Sequence, residues 1–407
     1  MTVQDRIPLQ NGIEVPARSD SSTAADRSSV TISPTARPSL QTDASAPPYE
    51  APCIEQPIKV VNLRTLEQQA AKVLPEFGFH FIAGGSGDEW TLRENEMAFD
   101  RLTIEPRYLP GVASADLRTT ILGSAVSAPI ITAPMGLQGL AHSSKEVGSA
   151  RGTIAAGGLY VTTSVSTLSL EEIASACEAG PKWFQIYVPE DRDYAREQLQ
   201  RAKQAGYTAI VLTVDATTYG NRERAAMLGL RAPPRLEFGN TPISPALAGR
   251  TPDMHKTALD WGDVAFCVAE TGLPLVLKGV MTPALARDAV RHGCAGIWVS
   301  NHGGRQLDHL AGSISVLPRI VDAVDGKVPI IIDGGIRRGH DVFSAIALGA
   351  SVVAIGRPVL YGLALGGAKG VEAVYARLRA ELAMTMQLAG AGSIADITPD
   401  FVSRAST

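Results

Sequence analysis

Residues Pro329–Pro358 read PIIIDGGIRRGHDVFSAIALGASVVAIGRP. Two short β-branched runs, Pro329–Asp333 and Ser351–Gly356, each stop at glycine and arginine. Between them Gly339–Leu348 has helical spacing. Apolar runs this short, bounded by glycine, suit strands buried on both faces, and a helix between two of them makes a parallel crossover.

Working outward, the same alternation extends back to Pro129. Strand candidates are Pro129–Pro134, Leu159–Thr163, Trp183–Tyr187, Ala209–Val214, Pro274–Lys278 and Gly296–Ser300, which makes eight in all. Helix candidates between them include Leu170–Ala179, Arg192–Ala205 and Thr282–His292. Eight such units over roughly 230 residues predict an α/β fold, a (β/α)8 TIM barrel. The alternative is a doubly wound open sheet, but no GxGxxG follows the first strand.

Residues 1 to about 55 are rich in Ser, Thr, Pro, Ala and Asp and predict a disordered tail, with one barrel domain over 56–400. The domain opens on a helical segment at Leu63–Val73, spaced Leu63, Leu66, Ala70, Val73, with Pro75 beyond its end. With 407 residues, 45% hydrophobic and 19% charged, the chain can bury a large core. A net charge of −4 gives no reason to expect nucleic acid or an anionic membrane as partner. Four scattered cysteines without a CxxC pair predict neither a disulfide framework nor a metal site. No run reaches the ~18 apolar residues of a membrane span, no apolar signal core stands at the start, and a cytoplasmic location is expected.

A barrel puts its chemistry where strands end. Those ends carry Thr163, Gln185, Tyr187, Thr213 with Asp215, Lys278, Ser300 with His302, and Asp333. Glycines after the seventh and eighth strands, with Arg337 and Arg357, make a phosphate site; tight turns with solvated arginines are the plainer reading. His302 and Arg305 follow the sixth strand. A His near guanidinium groups loses proton affinity and can act as a base near pH 7. Arg305 with Arg222 can grip a carboxylate, Asp215 can orient the imidazole, and Lys278 can offset negative charge on a reduced ring. His255, His292, His309 and His340 lack such company and are expected in surface or capping roles. The residues alone leave open whether the cofactor is a flavin, and they admit a non-redox barrel or a binding protein.

The segment Ser300-Asn301-His302-Gly303-Gly304-Arg305-Gln306-Leu307-Asp308 resembles the active-site signature of the FMN-dependent 2-hydroxy-acid oxidases and dehydrogenases. The resemblance runs from about Val60 to Ile397. It takes in Gly85-Ser86-Gly87-Asp88-Glu89-Trp90, Ala133-Pro134-Met135-Gly136, Trp183-Phe184-Gln185-Ile186-Tyr187, Thr213-Val214-Asp215, Gly220-Asn221-Arg222-Glu223, Leu277-Lys278-Gly279 and Asp333-Gly334-Gly335. Gly296–Ser300 and Gly362–Gly367 place it nearest the lactate oxidases.

That resemblance implies His302 as catalytic base with Asp215 as its partner. It implies Phe81, Tyr187, Arg222 and Arg305, with His302 itself, as the substrate-binding residues. FMN would meet Pro134, Met135, Gly136, Thr163, Gln185, Thr213, Lys278 and Ser300, with its phosphate on Asp333, Gly335, Arg337, Gly356 and Arg357. The expected reaction oxidises a small L-2-hydroxy acid and reduces O2 to H2O2. The alternative keeps the substrate and uses a quinone or protein acceptor, or gives a lactate-monooxygenase-like outcome. A homotetramer is implied as well.

Three residues depart from the family pattern. Phe81 stands where a substrate-binding Tyr is usual, Gly136 replaces the alanine common in oxidases, and Val165 replaces a pocket Trp or Tyr. The Pro-rich loop Gly229–Asp260 lacks the apolar insertion of membrane-bound members, which implies no membrane partner.

Overall fold

The computed structural model describes residues 48–177, 180–230, 232–233, 237–247 and 256–405. Eight parallel strands close into a barrel: β1 (Ile130–Thr132), β2 (Tyr160–Thr163), β3 (Lys182–Ile186), β4 (Ile210–Thr213), β5 (Leu275–Val280), β6 (Gly296–Val299), β7 (Ile330–Asp333) and β8 (Val352–Ile355). Each pairs with its sequence neighbour, and β8 returns to β1 through Ile355↔Thr132. The (β/α)8 barrel read from the alternation is thus the fold, and every expected strand is one of its staves.

Ten helices carry labels here: α1 (Glu76–Ala83), α2 (Trp90–Asp100), α3 (Lys145–Ala155), α4 (Leu170–Ala176), α5 (Arg192–Gln204), α6 (Trp261–Thr271), α7 (Pro283–Arg291), α8 (Ser313–Val324), α9 (Gly339–Ala347) and α10 (Arg357–Ala389). Start signals are local. Ser169 and Glu172 form a capping box on α4, and Asp260 with Asp263 does the same on α6. Thr282 accepts from Leu285 N, and Pro283 opens α7.

Successive strand residues point to opposite sides, so each strand feeds two cores. Ile131, Val161, Trp183, Val211, Val276, Trp298 and Ile331 fill the lumen. Their neighbours Ile130, Phe184, Ile210, Leu277, Ile297, Ile330 and Ile332 pack outward against the helices. Trp183 and Trp298, both fully buried, occupy the volume that makes the lumen a packed core. An antiparallel hairpin, Thr119–Ile121 with Ser124–Val126, stands just before β1. Its Ile121 and Val126 join the lumen cluster and plug the end opposite the strand C-termini.

The segment predicted as one helix over Leu63–Val73 is a 3-10 turn, Leu63–Thr65, followed by a helix at Leu66–Ala70. Leu63, Leu66 and Ala70 are buried as their spacing required, but Val73 lies in the turn beyond and is exposed. Residues 1–47 of the expected tail, and His255, lie outside the described residues. Residues 48–55 run along the barrel: Tyr49 Oη donates to Leu140 O at 2.7 Å, and Ser143 N to Pro52 O at 2.8 Å. Among the described residues, no helix is long and apolar enough to cross a membrane.

Candidate active site

His302 sits in a short helical turn directly after β6. It holds a left-handed backbone, φ +58°, followed by Gly303 at +63° and Gly304 at +73°. Three such residues in succession are tolerated because two are glycine, and His302 N is tied to Ser300 Oγ at 3.0 Å. The imidazole is thereby turned across the barrel mouth. Its Nδ1 lies 2.8 Å from Asp215 Oδ1 and its Nε2 3.3 Å from Tyr187 Oη. A carboxylate only accepts, so Asp215 assigns the proton to Nδ1 and leaves the Nε2 lone pair at the mouth.

Asp215 reaches this position through a bulge in β5. The β5–β6 register shifts between Lys278 and Val280, and Gly279 has φ +107°. A Cβ on Gly279 would stand 2.8 Å from Asp215 Cβ, so the bulge vacates the space that Asp215 fills. Burial tends to raise the Asp215 carboxyl, but His302 and Lys278 outweigh it and hold the group below the usual carboxylate range. Burial lowers the His302 pKa below its ordinary value; Lys278 and Arg222 push the same way, and Asp215 opposes them. The imidazole is therefore neutral at pH 7.

Arg222 and Arg305 converge on the same mouth. Arg222 donates to Arg305 O (3.2 Å) and Gln306 Oε1 (3.1 Å). Arg305 donates to Phe81 O and Gly84 O at the end of α1, at 2.8 and 2.9 Å, and its guanidinium lies 5.2 Å from the Phe81 ring centre. Phe81 thus holds Arg305 by its carbonyl and ring face. Burial lowers the proton affinity of both guanidinium groups, and for Arg305 the charges of Arg222 and Arg357 lower it further. Among the described residues, no carboxylate forms an ion pair with Arg222, Arg305 or Arg357. Buried cations without counter-ions are costly unless an anion completes them.

Below these groups, Lys278 Nζ donates to Ser300 Oγ at 2.9 Å and stands 3.4 Å from Asp333 Oδ2. Asp333 also accepts from Ser300 Oγ (2.7 Å) and Trp298 Nε1 (3.0 Å), locking the ends of β5, β6 and β7 together. Gln185 donates to Thr213 Oγ1 at 3.0 Å, while its Oε1 is buried without a hydrogen-bond partner. Thr163 ends β2, and Pro134–Gly136 follow β1. An unpaired amide acceptor and a lysine on this rim suit the N–H edge and the anionic reduced form of a flavin ring. The expected ring contacts are therefore brought to one face.

The expected phosphate residues are gathered less directly. Asp333 turns its carboxylate inward to Ser300 and Trp298. Arg337 pairs with Glu96 at 2.8 Å and donates to Ile336 O. Arg357 donates to Ile82 O, Gly84 O and Gly303 O at 2.9–3.1 Å. Between β7 and α9, Gly334 and Gly335 have φ of +99° and +84°, and a Cβ on Gly335 would lie 1.9 Å from Asn95 O, so the chain there packs directly on α2. A Cβ on Gly356 would meet only Met135 Sδ, at 3.5 Å.

Three supporting residues were not singled out from the sequence. Gln306 accepts from Gly220 N and Arg222 and donates to Thr218 O, fixing the Arg222 loop from both sides. Asn95 and Asn301 exchange amide hydrogen bonds of 2.9 and 2.8 Å beneath His302. Gln306 and Asn301 stand inside the signature segment, which was a signal; Asn95, on α2, gave none.

Fold and site together define a (β/α)8 barrel whose strand-end rim gathers a neutral histidine and two arginines that pair with no carboxylate among the described residues. A family model described as FMN-dependent dehydrogenase matches residues 70–404. An L-lactate oxidase of Lentilactobacillus hilgardii is 42% identical over 347 residues, covering 84% of this chain and 94% of that protein. The crystal structure of a Pediococcus acidilactici protein described as a lactate oxidase superposes with a TM-score of 0.84 at 43% identity, covering 88% of this chain and 99% of that one. A mandelate oxidase with 3,3-difluoro-2-hydroxy-3-phenylpropionic acid superposes with a TM-score of 0.79 at 38% identity, covering 85% and 100%. The chain belongs to the FMN-dependent 2-hydroxy-acid oxidase family, and its cofactor is FMN.

Proposed function

We propose that this protein oxidises a small, lactate-like L-2-hydroxy acid to the 2-oxo acid and passes the electrons to O2, giving H2O2. The observation that carries the reading is His302 Nε2, turned to the mouth beside Tyr187 Oη, backed by Asp215 and flanked by two arginines that, among the described residues, pair with no carboxylate. Arg222 and Arg305 take the substrate carboxylate, and Tyr187 hydrogen-bonds the substrate. His302 Nε2 accepts the departing proton, and Asp215 stabilises the imidazolium that results. FMN, when bound, supplies the two-electron acceptor, and Lys278 offsets negative charge on it. The substrate loses two electrons and two protons, and O2 gains both. Pro134, Met135, Gly136, Thr163, Gln185, Thr213, Lys278 and Ser300 hold the ring; Asp333, Gly335, Arg337, Gly356 and Arg357 hold the phosphate end. The protein acts as a homotetramer in the cytoplasm.

A second reading keeps the substrate half-reaction and changes the acceptor, to a quinone or protein, or gives a lactate-monooxygenase-like product. It is favoured by Gly136, which leaves less side chain at the expected flavin edge. One experiment separates them. The flavin is bleached anaerobically with L-lactate, and H2O2 is then measured per substrate consumed under air. One peroxide per turnover supports the oxidase; fast bleaching with negligible peroxide supports the second reading.

A further inference from the structure

Glu146, on α3, is fully buried and has no cationic partner among the described residues. Its carboxylate accepts three backbone N–H groups. Gln138 N bonds it at 3.0 Å, from the loop after β1, and Thr167 N and Leu168 N at 2.8 and 3.2 Å, from the loop after β2. A carboxylate buried without a counter-ion is costly, and these donors are what offset the cost. The two loops it joins are those that carry Met135–Gly136 and Val165.

The joint extends to the site on both sides. Gln138 Nε2 donates to Met135 O at 3.0 Å. Ser164 Oγ, on the β2 loop, accepts from Tyr187 N at 3.2 Å, and Tyr187 Oη meets His302. Gly139 N donates to Thr167 Oγ1 at 3.1 Å, and Leu137 N to Val165 O at 3.3 Å. At the tip, a Cβ on Gly136 would lie 2.7 Å from both Val165 Cγ2 and Val165 O. Two of the three departures from the family pattern, Gly136 and Val165, are therefore one contact, and Val165 can close down only because residue 136 is glycine.

We propose that Glu146 is a positioning residue for this pocket: by tying the β1 loop to the β2 loop it fixes the Gly136–Val165 wall and so sets which substrate side chains are accepted. The proposal rests on reading the site as a 2-hydroxy-acid pocket. A glutamine at 146 keeps the size but offers one acceptor oxygen, so at least one backbone N–H must face an NH2 group. The wall then loosens, in favour of the larger side chain.

The test uses the FMN-loaded protein. In Glu146→Gln, the ratio of anaerobic bleaching rates, L-mandelate over L-lactate, should rise by about fivefold, the scale of one net hydrogen bond. The ratio of binding constants for phenylglyoxylate over pyruvate, read from the flavin absorbance without turnover, should rise with it. Thr167→Val removes the Gly139 acceptor at constant shape and should move both ratios the same way. It decides the matter if Glu146→Gln does not fold. A lowered Tm with both ratios unmoved in the folded variants would overturn the proposal, leaving Glu146 a purely structural group. If the unaltered protein bleaches with neither acid and binds neither oxo acid, the pocket reading fails and this proposal with it.

Discussion

At the scale of single residues, His302 joins three conditions that sequence alone cannot join: a neutral imidazole, a fixed tautomer and an Nε2 lone pair turned to the mouth beside Tyr187. The 2.8 Å contact to Asp215 sets the tautomer, and burial keeps the ring neutral. His302→Ala should keep the yellow flavin yet slow anaerobic bleaching by L-lactate by about 10²–10⁴-fold, the usual worth of a positioned base. Near-normal bleaching would refute the role. The pH dependence has a defined sign. The His302 pKa is lowered from 6.5, so the base form is present above that pH and is lost as pH falls through the lowered value. The acid limb of the bleaching rate should therefore have its midpoint below pH 6.5; a midpoint above it would mean that another group controls the limb.

At the scale of elements, the site is held by chain ends meeting. The C-terminal carbonyls of α1 accept from Arg305 and Arg357, which satisfies groups a helix end otherwise leaves unpaired. Ser86 N, just beyond, donates to Gly304 O, and Gly87 N to Asn221 O, so one short loop grips both arginine-bearing segments. Asp308, within the signature, accepts from Trp90 N and Thr91 N and caps α2. Arg357→Met should lower stability by about 1–3 kcal/mol, because it takes the donor from the Gly303 carbonyl and leaves those of Ile82 and Gly84 with Arg305 alone. Urea unfolding measures this, and an unchanged midpoint would show that water replaces the guanidinium.

At the scale of the whole molecule, α10 closes the barrel by folding back on itself. Gly366 and Gly367 break its helical backbone, at φ −163° and +59°, and the two arms meet where Gly370 packs on Gly362. A Cβ on Gly370 would lie 1.9 Å from Gly362 O. Gly370→Val should therefore destabilise the fold by about 1–3 kcal/mol, despite valine's better helix propensity. A lower Tm with an unaltered flavin spectrum is the expected result. No loss would mean that the arms separate freely.

The sequence by itself determined the barrel, because strands buried on both faces must be apolar and their crossovers must be amphipathic. It also brought His302, Arg305 and the strand-end polar residues to one rim, since strand ends share a face in any such barrel. Only the tertiary structure decided how they are used. The left-handed turn at His302, the bulge at Gly279 that admits Asp215, and the commitment of Arg357 to carbonyls of α1 and the His302 turn all depend on contacts distant in sequence. Glu146 is the clearest case. In the sequence it is an acidic residue early in a helix, beside Lys145. Its meaning comes from three backbone N–H groups supplied by two other loops, and such a convergence leaves no local pattern to read.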